Sequence, residues 1–241
     1  MMTKFLLLWL EAPLQSWGAD SKFGRRDSLP FPTKSGIAGL LLCALGASGA
    51  QRELLGELAL LKQTAVSYVR RKQVGEDSEK IVREPLLRDF HMVGSGYEDG
   101  NRWERMHIPK TKDGKPAVGG GTKLTYRYYL QDAKFAVILE VPSSRSETFI
   151  AALQNPVYDI YLGRKNCAPT DFVYRGVYDA EQDALEKVAE IAKSKNELVE
   201  DFRVVDGERE EGDTIILNDI PVQFGEVKVY RDRRVTVTVC E

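Results

Sequence analysis

The chain opens with a continuous apolar run, Phe5–Leu10, of the length expected of a strand buried on both faces. The next stretch, APLQSWGADSKFGRRDSLPFPTKSG, is rich in Gly, Pro and Ser and reads as a loop. Ser35 is placed to cap a helix over Gly36–Leu45, with Gly46 or Gly49 to end it. Glycines 36 and 39 inside that helix each cost about 1 kcal/mol against alanine. They make sense where another backbone or a ligand comes close. A second helix over Arg52–Leu61 and a strand over Ala65–Arg71 follow, then a strand over Leu86–Val93. Thr122–Leu130 and Lys134–Val141 read as a hairpin turning at Gln131-Asp132. Ser143–Gln154 predicts a helix capped by Ser143 or Ser144. Ala180–Lys195 predicts an amphipathic one, with Ala184, Leu185, Val188 and Ile191 at helical spacing. Thr214–Leu217, Gln223–Tyr230 and Arg233–Val239 read as strands, and VTVTV alternates as if one face were wet.

This order predicts an α+β fold: a ferredoxin-like domain over residues 1–142, then a region over 143–241 that completes it and adds a smaller β-rich domain. The segment 94–121 is glycine-rich and carries little periodicity. So long a stretch inside a compact domain points to function or to mobility.

Composition narrows the chemistry. Of 241 residues, 43% are hydrophobic and 29% charged, which fits a globular protein and not a disordered one. The opening apolar run is too short for a signal peptide or a membrane span. Three well-separated cysteines, Cys43, Cys167 and Cys240, read as reduced thiols of a cytoplasmic protein. Only two histidines are present, His91 and His107, with no ligand spacing around them, so no metal and no cofactor is expected. Walker, GxSxG and GxGxxG patterns are absent. The net charge of −2 hides an asymmetry: 179–213 holds 13 acidic and 5 basic residues, so the rest of the chain carries +6. Either a basic face awaits a polyanion, or an acidic solvated helix and loop merely make the remainder look basic.

Four clusters carry candidate chemistry. Gln15, Ser16 and Trp17 precede Lys22, Arg25 and Arg26, a set suited to phosphates and base stacking unless Trp17 simply anchors its loop. Lys34 and Ser35 in PTKSG suit an anion at a helix N-terminus, or an ordinary serine cap with a solvated lysine. In LRDFH, alternation puts Arg88 and Phe90 on one face and Asp89 and His91 on the other. His91 is there a general acid–base or a packing group. Arg127 and Tyr129 in TYRYYL, with Arg164 and Lys165 in YLGRKNC, give basic groups among aromatics, as a single-stranded RNA surface needs. The alternative is a tyrosine-rich strand that packs its own rings.

Taken in order, APLQSWG, FPTKSGIAGLLLCALG, LLRDFHMV, TYRYYLQDAKFAVIL and YLGRKNCAP resemble the CasD family, the RAMP-type subunits of the type I-E CRISPR surveillance complex Cascade. The similarity runs from Phe5 to Ala168. It implies an RRM-like, ferredoxin-like domain with a long β-hairpin thumb and a smaller C-terminal domain. It also implies a subunit that caps the complex, holds the 5′ handle of the crRNA, and touches the large and backbone subunits. The thumb falls at about 94–121, where Arg102, Trp103, Arg105 and Lys110 would face RNA or the next subunit. Type I-E members are RNA-binding scaffolds, so the chain is expected not to be an enzyme. Type I-C relatives cut RNA without metal using Tyr, Lys and His. A metal-independent endoribonuclease processing CRISPR repeat RNA, with His91 as base, is therefore the alternative, and an interaction protein without RNA a third.

Overall fold

The computed structural model describes residues 2–18, 24–73, 79–81, 83–94, 103, 106, 108–115, 117, 122–196 and 198–240. Its strands are β1 (Thr3–Glu11), β2 (Leu14–Gln15), β3 (Trp17–Gly18), β4 (Arg25–Arg26), β5 (Ser28–Leu29), β6 (Gln63–Val69), β7 (Arg71–Gln73), β8 (Glu79–Ile81) and β9 (Leu87–Val93). They continue with β10 (Lys123–Gln131), β11 (Lys134–Pro142), β12 (Tyr174–Tyr178), β13 (Val199–Asp206), β14 (Asp213–Gln223) and β15 (Val229–Val239). The helices are α1 (Lys34–Leu45), α2 (Arg52–Ala59), α3 (Ser143–Gln154) and α4 (Glu181–Ser194).

One antiparallel seven-stranded sheet, ordered β12-β1-β11-β6-β13-β15-β14, forms the centre. The register Leu8–Val137–Ala65–Val204–Val237 runs across five of its strands. Because Leu6 to Leu10 are all fully buried, β1 needs cover on both sides. Leu6, Leu8 and Leu10 pack with Ile37 and Leu41 of α1, Leu55 of α2 and Phe149 of α3. Leu7 and Trp9 pack on the opposite face with Ala184, Val188 and Ile191 of α4. The amphipathic pattern of α4 thus marks the helix that covers one face alone, with Leu185 at the edge of its packing.

A second, smaller sheet is built on β10. β9 pairs antiparallel with it along one edge, and β2 and β4 pair along the other. This corrects the hairpin expected of Thr122–Leu130 and Lys134–Val141. β11 already has β1 on one edge and β6 on the other, so no ladder position is left for β10. The chain instead turns out of the main sheet at Asp132 (φ 47°), where Lys134 Nζ holds the Asp132 carbonyl and carboxylate, each at 2.9 Å.

Other differences have local causes. Thr33, not Ser35, caps α1: its Oγ1 accepts from Gly36 N–H at 3.1 Å, and the Lys34 N–H goes to Asp219. Gly46 does end α1, in the left-handed conformation. α3 begins after Pro142 with no side-chain cap, so neither Ser143 nor Ser144 serves. The acidic segment is not only helix and loop, because it contains β13, inserted between β6 and β15 with Phe202 and Val204 buried. Gln223–Tyr230 is not a strand of its own. β14 runs to Gln223 and β15 starts at Val229. In VTVTV, Val235 and Thr236 are both fully buried, because Thr236 Oγ1 satisfies itself on the Gly207 carbonyl at 2.8 Å.

Candidate nucleic-acid interface

The β9–β10 ladder sorts side chains by period two. Thr125 stands opposite His91, Arg127 opposite Asp89, and Tyr129 opposite Leu87. His91, Asp89, Arg127 and Tyr129 therefore share one face, and Arg88, Phe90, Tyr126 and Tyr128 the other. The loop Tyr161–Cys167 closes over the first face. Its Gly163 (φ 91°) lies so near Ser16 that a Cβ would sit 1.7 Å from the Ser16 carbonyl oxygen, so only glycine brings the loop in this far. Ser16 N–H donates to the Leu162 carbonyl at 3.2 Å, which fixes the approach.

Between ladder and loop lies an open cleft of about 510 Å³, lined by Asp89, His91, Arg127, Tyr129, Tyr161, Arg164, Lys165 and Asn166 with Gly163. Three permanent cations face a single carboxylate. Arg164 packs its guanidinium over the Tyr129 ring at 4.7 Å and donates from Nη2 to the Arg26 carbonyl at 2.9 Å. Its Nη1 is enclosed with no hydrogen-bond partner among the described residues. Half-buried Arg127 and exposed Lys165 present their charges to the cleft, which suits an anion. Arg127 is held by Nε on Thr125 Oγ1 at 3.3 Å, and Asn166 donates to Tyr129 Oη at 3.3 Å. His91 Nδ1 lies 3.4 Å from the Asp89 carboxylate.

The structure thus brings together His91, Arg127, Tyr129, Arg164 and Lys165 from sequence positions up to 74 apart. It places the other candidates elsewhere. Gln15 is fully buried, donating to the Leu10 and Ala133 carbonyls at 3.1 and 2.7 Å and accepting from Trp17 Nε1. Trp17 is 1% exposed and lies against α1 at Gly36, the anchor arrangement. Lys34 is also enclosed. Its amine donates to the Ala59 and Leu61 carbonyls and pairs with Asp206 at 3.3 Å. Burial pushes that amine below its usual range against the pull of Asp206. Ser35 donates to Thr33 Oγ1 at 3.3 Å. Arg25 pairs with Asp27 and lies 5.2 Å from the Tyr128 ring, and Arg88 lies 5.8 Å from the Tyr126 ring, both away from the cleft.

Trp103 and Lys110 are exposed, whereas Lys22, Arg102 and Arg105 lie outside the described residues, as does most of 94–121. Tyr161, Asn166 and Asp89 were not picked out from the sequence. The alternation that pairs Asp89 with His91, and the presence of Tyr161 at the head of YLGRKNC, were the available signals. Among the described residues no group of three or more His, Cys, Asp or Glu is arranged to hold a metal, and no helix is long and apolar enough to cross a membrane.

Comparison with known proteins supplies the frame for this cleft. The family model described as CRISPR-associated protein (Cas_Cas5) matches residues 5–236. The CRISPR system Cascade subunit CasD of Escherichia coli (strain K12) is 32% identical over 183 residues, which is 74% of this chain and 73% of that protein. A chain of a CRISPR RNA-guided surveillance complex superposes with a TM-score of 0.67 at 26% identity, covering 98% of this chain and 90% of its own. A crystal structure of a Cas protein gives 0.59 at 27% identity, over 98% and 94%. The match spans nearly the whole length, sheet and cleft loop included, and the chain belongs to the CRISPR-associated Cas5 family.

Proposed function

We propose that this protein is a non-catalytic subunit of a type I-E CRISPR surveillance complex, and that the cleft between β9–β10 and the Tyr161–Cys167 loop holds the 5′ handle of the crRNA. The carrying observation is the set Arg127, Arg164 and Lys165 lining one cleft with a single carboxylate, Asp89. Phosphates satisfy the cleft's cations, and Tyr161 offers aromatic surface to bases. The connectivity β1-α1-β6-β11-α3-β12, with β12-β1-β11-β6 side by side, supports a ferredoxin-like domain of the RAMP type. In this reading 143–178 complete that domain and β13–β15 form the β-rich part. The β9–β10 ladder is the stem of the thumb, which Trp103 and Lys110 extend. The stem's outer face carries Arg88 among apolar groups, with the Phe90 and Tyr126 rings 5.3 Å apart beside exposed Met92 and Leu124. It suits contact with the large or backbone subunit.

The test is the complex assembled with its cognate repeat RNA in EDTA, run on native and denaturing gels. Intact RNA retained by the parent and lost in the variant Arg127→Ala/Arg164→Ala/Lys165→Ala is the expected result. A single discrete cut that disappears in His91→Ala overturns the scaffold reading in favour of the ribonuclease. Full retention by the triple variant overturns the cleft.

A further inference from the structure

The cleft does not stop at the β9–β10 stem. Tyr161 and Gly163, two residues of its wall, also line a hollow of about 260 Å³ on the outer side of α1, whose floor is Gly36, Gly39 and Cys43. Phe224 and Lys228 stand across that floor from Tyr161. A third hollow of about 310 Å³ shares Gly39, Cys43, Tyr161 and Phe224 with the second and leads on to Ser48 and Tyr158. The three form one trough.

The two helix glycines divide its cause. A Cβ on Gly36 would stand 2.8 Å from Trp17 Cε3, so that glycine serves the packing of Trp17. A Cβ on Gly39 would have nothing within 4 Å. A mid-helix glycine is destabilising relative to alanine, and no neighbour among the described residues accounts for this one. It keeps the floor low between two aromatic side chains.

We propose that the trough over α1 is a nucleotide subsite: one base of the single strand lies on the Gly39 floor against Tyr161 and Phe224, with a phosphate at Lys228. The proposal rests on the RNA-binding reading of the cleft and extends it by naming where the strand goes next. Aromatic walls over a flat floor admit a planar ring of any base, and a lysine ammonium serves phosphate as a point charge. Among the described residues neither hollow is lined by a carboxylate, and each continues from the cationic cleft, which favours a polyanion over a protein segment as occupant.

The test uses the assembled complex loaded with repeat RNA carrying 2-aminopurine at successive handle positions. One position should be quenched by stacking in the parent and become bright in Gly39→Leu, which fills the floor, and in Phe224→Leu, which keeps bulk but removes the ring. Lys228→Ala should keep the quenching and lower the slope of log K against log salt by about 0.7. The melting temperature of Gly39→Leu should not fall, since its side chain enters open space. If no position brightens in Phe224→Leu while Arg127→Ala/Lys165→Ala still loses RNA, the trough is overturned and the cleft stands. Unchanged behaviour in both sets overturns the two together. Loss of a protein subunit from the Gly39→Leu complex, with every 2-aminopurine signal unchanged, assigns the trough to a protein and overturns the proposal.

Discussion

Two groups of charges in this molecule have similar membership and opposite fates. Under the N-terminus of α1, Lys34 and Arg233 meet Asp206 and Asp219. Arg233 grips Asp219 through two nitrogens at 2.7 and 2.8 Å and also pairs with Asp206, while Lys34 reaches Asp206 and two carbonyls. Asp219 accepts the Lys34 N–H as well. Among the described residues lining the cleft, Arg127, Arg164 and Lys165 are accompanied by one carboxylate, Asp89. Two cations matched by two carboxylates, Asp219 buried and Asp206 half-buried, tie α1 to β13, β14 and β15. Three cations against one leave donors for something outside the chain. The difference lies in the carboxylates, not in the basic residues.

The sharpest way to break that comparison is to remove a cation from each group. Arg233→Ala leaves Asp219 buried at 4% exposure without its bidentate partner. A stranded buried charge costs about 3–5 kcal/mol. For a chain of this size that lowers the melting temperature by roughly 6–20 °C. A loss of only a degree or two would mean the quartet is not a fold-holding unit. The same variant, where it remains folded, should keep its salt-dependent RNA binding.

Arg127→Ala/Lys165→Ala inverts the pattern. Neither residue spans the core, so stability should stay within about 0.5 kcal/mol. With two phosphate contacts gone, the slope of log K against log salt should fall by roughly 1.4. Titration of the complex at several salt concentrations reads the slope, and thermal unfolding reads the stability. Equal losses of stability from both groups would erase the distinction.

This contrast shows where sequence reasoning reached its limit. Arg127, Arg164 and Lys165 were legible because each sits among aromatics in a short motif, whereas the shared face of Arg127 and His91 follows only from the β9–β10 register. Lys34 sits in a motif that looks like an anion site, yet the carboxylates that balance it are Asp206 and Asp219, some 170–185 positions later. No local pattern signals such a partner. The same holds for β13, which is central in the sheet although its sequence, VEDFRVVD, lies in the most acidic stretch of the chain. The hairpin read into β10 and β11 failed for a global reason, because β11 had two other partners. β1, α1, α3 and α4 were legible within a residue or two because burial alone decides them.

A third charge group lies between the two extremes and titrates. Lys195 Nζ meets Glu11 at 2.7 Å and Asp171 at 2.6 Å, joining the end of α4 to β1. Burial pushes Glu11 and Asp171 up, and hydrogen bonds from Lys195, with Trp9 assisting Glu11, outweigh it, so both carboxyls lie below their ordinary range. Groups lowered in the folded state stabilise it above the unfolded carboxylate range of about pH 4–4.5 and lose that contribution as the pH falls through their folded values. Melting temperature measured from pH 7 to pH 3 should therefore drop at the acid end. In Lys195→Met the drop should be shallower and the value at pH 7 lower. An unchanged acid limb would place the titrating groups elsewhere.

The smallest effect concerns uncharged positions and separates folding from binding in the same way. Gly36 faces inward against Trp17, where an added methyl group would stand 2.8 Å from the ring and 2.9 Å from Thr33 Oγ1, so Gly36→Ala should destabilise. Gly39, one turn along the same helix, meets open space, and Gly39→Ala should stabilise the free protein by about 1 kcal/mol through helix propensity alone. Thermal unfolding of the two single variants and the double variant decides it. Opposite signs that add in the double variant mean that one glycine serves the fold and the other does not. The conformation of α1 then gives no reason for Gly39 to be glycine, and the floor it keeps open is left as the reason.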